Sequence, residues 1–443
     1  MASTYLTKTM TAGNSNTLKF TFSAWVKRTG LSSNDGMQFL SVADEYIYLG
    51  FFSDSLRMEI HDVDNVRLRS NAKFRDTNAW YHVVFTFDST QATASDRMKM
   101  WVNNEQITDL DVANYPNQNY GTYIGTNTQH SLGRRENDDS DYFDGIISHA
   151  HLTVGYTYTP SAFGEYDANG VWKIKTSPSV TYGNNGFFIL KDGNSVTDQS
   201  PNTNNFTVAG GTLTKTEDNP SNVFVTLNPL YKSSGTVTFS NGNSKVVGVD
   251  YSNQRTGGTL GASSGKFYFE TKMTGSVSFG GSTIGIADYD NVNIANSTTW
   301  FGSDSNYLGF YGGGTLKVLN NGANNDYGTL NVNDIVGFAF DIDNGFVYIS
   351  RNGTWLNSGD PTSGSTGTGN VNRSGNLNYN FAGKLMGIAG GFQSTDSPIS
   401  NFGNGYFGTT AVSSAGTNAS GIGIFEYDVP TGFTALSTKG LNL

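Results

Sequence analysis

Wherever apolar residues gather in this chain they alternate with polar ones at a period of two, and that pattern admits half-buried strands and little else. In Lys19-Phe20-Thr21-Phe22-Ser23-Ala24-Trp25-Val26-Lys27, the residues Phe20, Phe22, Ala24 and Val26 share one face. Tyr81, Val83, Phe85 and Phe87 do the same within Tyr81-His82-Val83-Val84-Phe85-Thr86-Phe87-Asp88. Met98-Lys99-Met100-Trp101-Val102 then runs into Asn103-Asn104, a pair that tolerates positive φ and suits a two-residue hairpin. No stretch carries the spacing of an amphipathic helix. Short strands separated by Gly, Asn, Asp and Ser at close intervals predict an all-β chain built of sandwiches. The 54 glycines among 443 residues supply the turns, and aromatics at 13% supply enough apolar surface to exclude a disordered chain.

Charge and cysteine narrow the function classes. With 27 basic against 37 acidic residues the net charge is −10, and no basic cluster offsets it, so nucleic acid is not an expected partner. Cysteine is absent, which removes disulfides and thiolate metal sites. The first residues, Met1-Ala2-Ser3-Thr4-Tyr5-Leu6-Thr7-Lys8, lack the apolar core of a signal peptide, so secretion by that route is not expected. Nowhere do 18 apolar residues run together, and no membrane insertion is expected.

All five histidines, His61, His82, His130, His149 and His151, lie in the first 151 residues, whereas the chain after about 235 is richer in Gly, Asn and Ser. This shift predicts two β-sandwich domains, 1–178 and 235–443. The segment 179–234, with its apolar run Phe187-Phe188-Ile189-Leu190 and prolines at 201, 220 and 229, reads as an ordered connector with a strand or two of its own. In the second domain, Ile335-Val336-Gly337-Phe338-Ala339-Phe340-Asp341 is followed by Asn344-Gly345, a β-rich run from Phe346 to Ser350, and Asn352-Gly353. Two Asn-Gly turns bracketing such a run predict consecutive hairpins around an interior strand.

Phe20-Thr21-Phe22-Ser23-Ala24-Trp25-Val26-Lys27, Trp80-Tyr81-His82-Val83-Val84, Trp101-Val102-Asn103-Asn104 and Tyr142-Phe143-Asp144-Gly145-Ile146-Ile147 together resemble the laminin-G-like branch of the concanavalin-A-like jelly rolls. Gly265-Lys266-Phe267-Tyr268-Phe269-Glu270, Ile284-Gly285-Ile286 and Val347-Tyr348-Ile349-Ser350-Arg351-Asn352-Gly353 resemble the SPRY family, another two-sheet sandwich. The succession of these modules, with Leu227-Asn228-Pro229-Leu230 between them and Pro430-Thr431-Gly432-Phe433-Thr434-Ala435-Leu436 at the end, is similar to exterior structural proteins of tailed phages, especially marine ones. That resemblance implies a fibre, knob or capsid decoration on the virion surface, made in the host cytoplasm, present in many copies or as a homo-oligomer, and docked to other capsid or tail proteins.

Several constellations bear on chemistry. Glycoside hydrolysis needs two carboxyl groups flanking the bond. In Glu59-Ile60-His61-Asp62-Val63-Asp64, residue 61 shares the face of Glu59, while Asp62 and Asp64 have the opposite parity, so they do not converge without a bulge. The run Glu136-Asn137-Asp138-Asp139-Ser140-Asp141 could hold calcium through Asp138, Asp139 and Asp141, although Arg134 and Arg135 stand ready to neutralise the acids. His149 and His151 alternate on one strand, and zinc could use both, but no third ligand is identifiable by spacing. Ligand-binding candidates are Trp300, Tyr307, Tyr311 and Trp355 for stacking on sugar rings, and Tyr115, Tyr120 and Tyr123 for a protein contact.

The expectation is therefore a non-catalytic, all-β virion protein with no obligatory cofactor that recognises a host-surface glycan or protein through rim loops on rigid sheets. The alternatives are a tailspike-type enzyme degrading host polysaccharide and a purely architectural capsid decoration.

Overall fold

A computed structural model of the chain describes residues 4–443 apart from 12–16, 32–35, 43–44, 62–64, 137–138, 192–194, 236, 249–253, 275–281, 296–299, 313 and 393–397. The protein is all-β: among the described residues the helical elements are three-residue 3-10 turns. It divides into two compact units, Met1–Lys215 and Thr216–Leu443.

The first unit is a sandwich of two antiparallel sheets. One has eight strands in the order Leu110–Asn114, Val66–Lys73, Ser55–His61, Glu45–Phe52, Gly36–Val42, Gln129–Leu132, Tyr5–Thr9 and Thr207–Gly210. The other has six: Phe187–Ile189, Gly145–Val154, Lys19–Arg28, Trp80–Asp88, Met98–Val102 and Glu105–Gln106. Alternation fixes the inner faces. Phe20, Phe22, Ala24 and Val26 stand opposite Phe87, Phe85, Val83 and Tyr81 on the neighbouring strand. All of these are buried in one core with Leu49, Phe51, Leu56, Met58 and Leu68 of the facing sheet. Phe20 and Phe87 stack at 5.5 Å. Each such side chain contributes about 1.5–3 kcal/mol by leaving water, and a register slip of one residue would turn the whole set outward.

The second unit repeats the architecture with two seven-stranded sheets. The first runs Leu227–Lys232, Gln254–Ala262, Met386–Phe392, Thr283–Asp288, Tyr307–Gly312, Thr315–Asn320 and Ala323–Thr329. The second runs Val237–Ser240, Lys245–Gly248, Ile399–Asn401, Lys266–Lys272, Ile335–Asp341, Phe346–Arg351 and Thr354–Trp355. Both expected hairpins form: Phe338 pairs with Ile349, and Arg351 with Thr354. Their turns place Gly345 at φ 68°, and Asn352 and Gly353 at φ 50° and 79°, which Gly and Asn adopt at small steric cost. Ile335–Asp341 is buried on both faces. Its second face is covered by Phe425, Phe433 and Ala435 of the C-terminal segment.

The expected separate connector 179–234 is instead shared between the units. Phe187–Ile189 is fully buried and pairs with Ala150–Leu152, while Thr207–Gly210 pairs with Tyr5–Thr7, so both complete sheets of the first unit. Leu227–Lys232 forms an edge of the second. Backbone groups of a buried apolar run need partners, and the nearest unpaired strands belong to the flanking sheets.

A fully buried ion pair is built into the first sandwich. Arg28, 1% exposed, donates from Nη2 to Asp54 Oδ1 at 2.8 Å and from Nη1 to the Phe74 carbonyl at 2.6 Å. Its guanidinium also lies 4.7 Å from the centre of the Phe51 ring. Asp54 Oδ2 accepts from Arg75 Nε at 2.8 Å. Removing one partner of such a pair leaves the other buried and uncompensated. Asp54→Ala is expected to lower the unfolding free energy of this unit by about 3–5 kcal/mol, read as a lower denaturation midpoint; an unshifted midpoint would show that Arg28 is not held by this carboxylate.

Candidate functional site

Because Ile47, Leu49 and Phe51, Leu56, Met58 and Ile60, and Val66 and Leu68 face the core, the residues between them form the opposite face of the eight-stranded sheet. Register then sets the neighbours. Tyr48 stands opposite Glu59, and Glu59 opposite Arg67; two positions along, Gly50 stands opposite Arg57, and Arg57 opposite Arg69. The result is a ladder of carboxylate, guanidinium and aromatic groups across three strands.

Glu59 is buried, and both its oxygens are engaged. Arg57 donates to Oε2, and Arg67 donates to Oε1 from Nη2 and from Nε at 2.9 Å. The Arg57 guanidinium lies between two rings, 4.9 Å from the centre of Tyr48 and 4.7 Å from that of Phe52. Gly50 lies between those rings in sequence, and a Cβ there would collide with the backbone of Met37 and Gln38 on the next strand. Arg69 donates to Asp111 Oδ1 at 3.0 Å. The burial of Tyr48 raises its hydroxyl proton affinity far above the usual phenol range, and that hydroxyl donates to the Phe51 carbonyl at 2.5 Å.

A second knot occupies the same face at the other side of the sheet. Glu136 accepts from Gln129, Ser131 and Arg134, the last at 3.0 Å. The Arg134 guanidinium sits 3.8 Å from the centre of the Tyr5 ring. These groups also occupy the acids expected to bind calcium. Asp139, with its side chain 68% exposed, is paired with Arg134. Asp141 accepts from the Gly36 N–H at 3.2 Å, with Arg135 at 4.0 Å. Asp138, Asp62 and Asp64 lie outside the described residues. Among the described residues no group of three or more His, Asp or Glu side chains could hold a metal ion.

His82, His130 and His151 are buried, and His149 is half-buried. His151 is buried, stacks on Phe188 at 3.8 Å, and shares a hydrogen bond with the Tyr182 hydroxyl at 3.0 Å. His82 lies 2.9 Å from Ser23 Oγ, an apparent nucleophile-base pair that sequence spacing did not reveal. Its tautomer excludes that role. The Trp172 indole N–H donates to His82 Nδ1 at 3.0 Å, and indole can only donate, so the ring proton sits on Nε2 and is donated to Ser23. Burial further pushes the His82 imidazole down to about 3.

In the second unit the four aromatic candidates separate. Tyr307, at 0% exposure, stacks on Phe301 at 4.0 Å and cannot meet a ligand; it takes the face opposite Leu308 and Phe310 and is covered there by Val292, Ile294 and Phe301. Trp355 is half-buried and packs against the cluster of Tyr268, Tyr348 and Phe425. Trp300 and Tyr311 are half-buried and meet edge to face at 5.9 Å. Arg255 secures their surroundings: it donates to Asp304 at 2.7 Å and to the Asn293 carbonyl at 2.9 Å, and lies 4.4 Å from the Phe301 ring centre. In the first unit, Tyr115 and Tyr120 pack partly against the core, while Tyr123 is 45% exposed.

Residues 2–155 match the family described as the Concanavalin A-like lectin/glucanases superfamily. The first unit is thus similar to a lectin-type jelly roll over most of its strands. No curated protein matches the chain. Among solved structures, the TRIM65 PSpry domain is 10% identical, covering 40% of this chain and 88% of that one with a TM-score of 0.29. The SPRY domain of human HERC1 is 12% identical, covering 39% and 96% with a TM-score of 0.28. Stonustoxin is 17% identical, covering 40% and 26% with a TM-score of 0.29.

One carboxyl in the second unit titrates near neutrality. Glu270 is buried, which pushes it up to about 7 despite three donors: the Tyr268 hydroxyl at 3.1 Å and the backbone N–H groups of Glu426 and Tyr427 at 2.8 Å each. The neighbouring Glu426 charge pushes the same way. Between the ordinary glutamate value of about 4.3 and about 7, the folded protein keeps a proton that the unfolded chain has released, so stability falls as pH rises through that window. Glu270→Gln is expected to flatten this part of the denaturation midpoint against pH; an unaltered slope would place the dependence elsewhere.

Proposed function

We propose that this protein is a non-catalytic, multicopy binding protein of the exterior of a tailed-phage particle, and that the outer face of its eight-stranded sheet meets a host-surface glycan. The observation that carries the binding role is the Glu59 knot. Two guanidiniums hold one buried carboxylate, and one of them, that of Arg57, lies between two aromatic rings, so donors, acceptors and apolar surface are fixed before any ligand arrives. The same observation favours binding over hydrolysis, since both Glu59 oxygens are taken as ion-pair acceptors, whereas glycoside cleavage uses two carboxyl groups free to act on the sugar. The virion setting rests on the succession of modules along the chain. There, copy number would multiply a weak single contact.

Arg57→Ala is expected to weaken binding on a glycan array at least tenfold while circular dichroism retains its β signature. Undiminished binding would remove this face from the function, and release of shortened oligosaccharides would replace binding with catalysis. Immunogold labelling of particles tests the setting: label confined to unassembled protein would sink it.

A further inference from the structure

The six-stranded sheet of the first unit has an unusual outer face. Opposite its core residues it carries Ser23, Trp25, His82, Trp101 and His151, all buried, because the chain from 158 to 182 crosses over them through Phe163, Trp172 and Tyr182. Within that crossing segment, Gly164–Tyr166 and Trp172–Ile174 form a small hairpin, with Tyr166 opposite Trp172. The polar atoms beneath it form a directed chain: Trp172 donates to His82 at 3.0 Å, and His82 donates onward to Ser23 at 2.9 Å. Trp25 also stacks on the imidazole at 4.9 Å. Gly164 leaves room for the indole, since a Cβ there would enter the Trp172 ring. Asp167 closes the turn, accepting from the N–H groups of Asn169 and Val171 at 2.9 Å each.

What this scaffold holds is an exposed ring. Tyr166 is 55% exposed and braced by Trp172 at 4.9 Å and 65°. The Asn104 amide reaches the Tyr166 hydroxyl at 3.4 Å. Asn104 sits on a turn fastened to the same histidine, whose backbone N–H donates to Asn103 Oδ1 at 2.8 Å. An isolated surface tyrosine needs no explanation, but this one is positioned from both sides through His82, which burial keeps neutral and whose two ring nitrogens are both hydrogen-bonded.

We propose that Tyr166, Trp172 and Asn104 form a second binding site, separate from the Arg57 face, that takes a neutral pyranose sugar. The flat ring receives the C–H face of the sugar, and the Asn104 amide and Tyr166 hydroxyl meet its hydroxyls; tyrosine and tryptophan give such amphipathic contact with little ordering entropy. Glu105, Glu165 and Asp167 adjoin Asn104 and Tyr166 along the chain, and the hairpin's Lys173 stands opposite Glu165, an acidic neighbourhood that disfavours anionic sugars. The test is an array of neutral glucose-, galactose- and mannose-type oligosaccharides with sialylated and sulfated counterparts, followed by titration of the strongest neutral glycan against tryptophan fluorescence. Tyr166→Ala is expected to weaken that glycan at least tenfold with the melting temperature unchanged, and Tyr166→Phe to restore most of the affinity. Equal binding by Tyr166→Ala, a preference for the anionic glycans, or no glycan bound by the unaltered protein would each overturn the proposal.

Discussion

A strand of alternating character has two faces, and burying one against a partner sheet leaves the other to be settled. That constraint shapes this protein more than any single contact. The inner faces are settled uniformly, by phenylalanine, leucine, valine and methionine. The outer faces are settled in three different ways. The eight-stranded sheet ties charges to rings, as around Glu59 and Glu136. The six-stranded sheet carries histidine and tryptophan and is covered by its own crossing segment. In the second unit the C-terminal segment lies over Tyr268, Ala339 and Tyr348 and is fastened by its backbone to Glu270.

These solutions differ in how they respond to conditions. A carboxylate held by two guanidiniums is electrostatically satisfied, and partial burial shields it from salt. The Glu270 clasp is different: donors favour its charge, but burial, with Glu426, outweighs them, so the protonated and ionised forms are comparably populated around neutral pH. The His82 chain is committed in one direction, because an indole donor fixes the tautomer and desolvation keeps the ring neutral. Function is best sought where an outer face is left partly open, and each open area here, around Arg57 and around Tyr166, is stiffened from beneath.

The strands and turns were legible because they are local properties. Phe20 to Val26 announces its inner face, and Asn344-Gly345 its hairpin, without reference to anything distant. The connector was misjudged because Phe187–Ile189 and Thr207–Gly210 take their meaning from strands far earlier in the chain. Among the site residues, Tyr307 and Trp300 look alike in sequence, yet one ends buried on Phe301 and the other half-buried against Tyr311. The Arg57, Glu59 and Arg67 ladder had a readable signal, since all three fall at the parity opposite Leu56, Met58 and Leu68. Trp172 over His82 had none, being 90 residues apart.

The scarcity of charge gains its meaning from this arrangement. Charged residues make up 14% of the chain, and several of them are spent inside: Arg28 and Asp54, Glu59, Arg134, Arg255 and Glu270 are all buried. There they act as cross-links between strands and loops, roles that demand fixed geometry. Solubility then falls to the Asn, Ser, Thr and Gly of the turns, which are hydrated without long-range fields. Such a surface adds little field beyond the net charge of −10, so selectivity among uncharged ligands has to come from short-range shape and hydrogen bonding. For a binding protein this means that recognition is decided at contact, by a few rigid rings and paired guanidiniums.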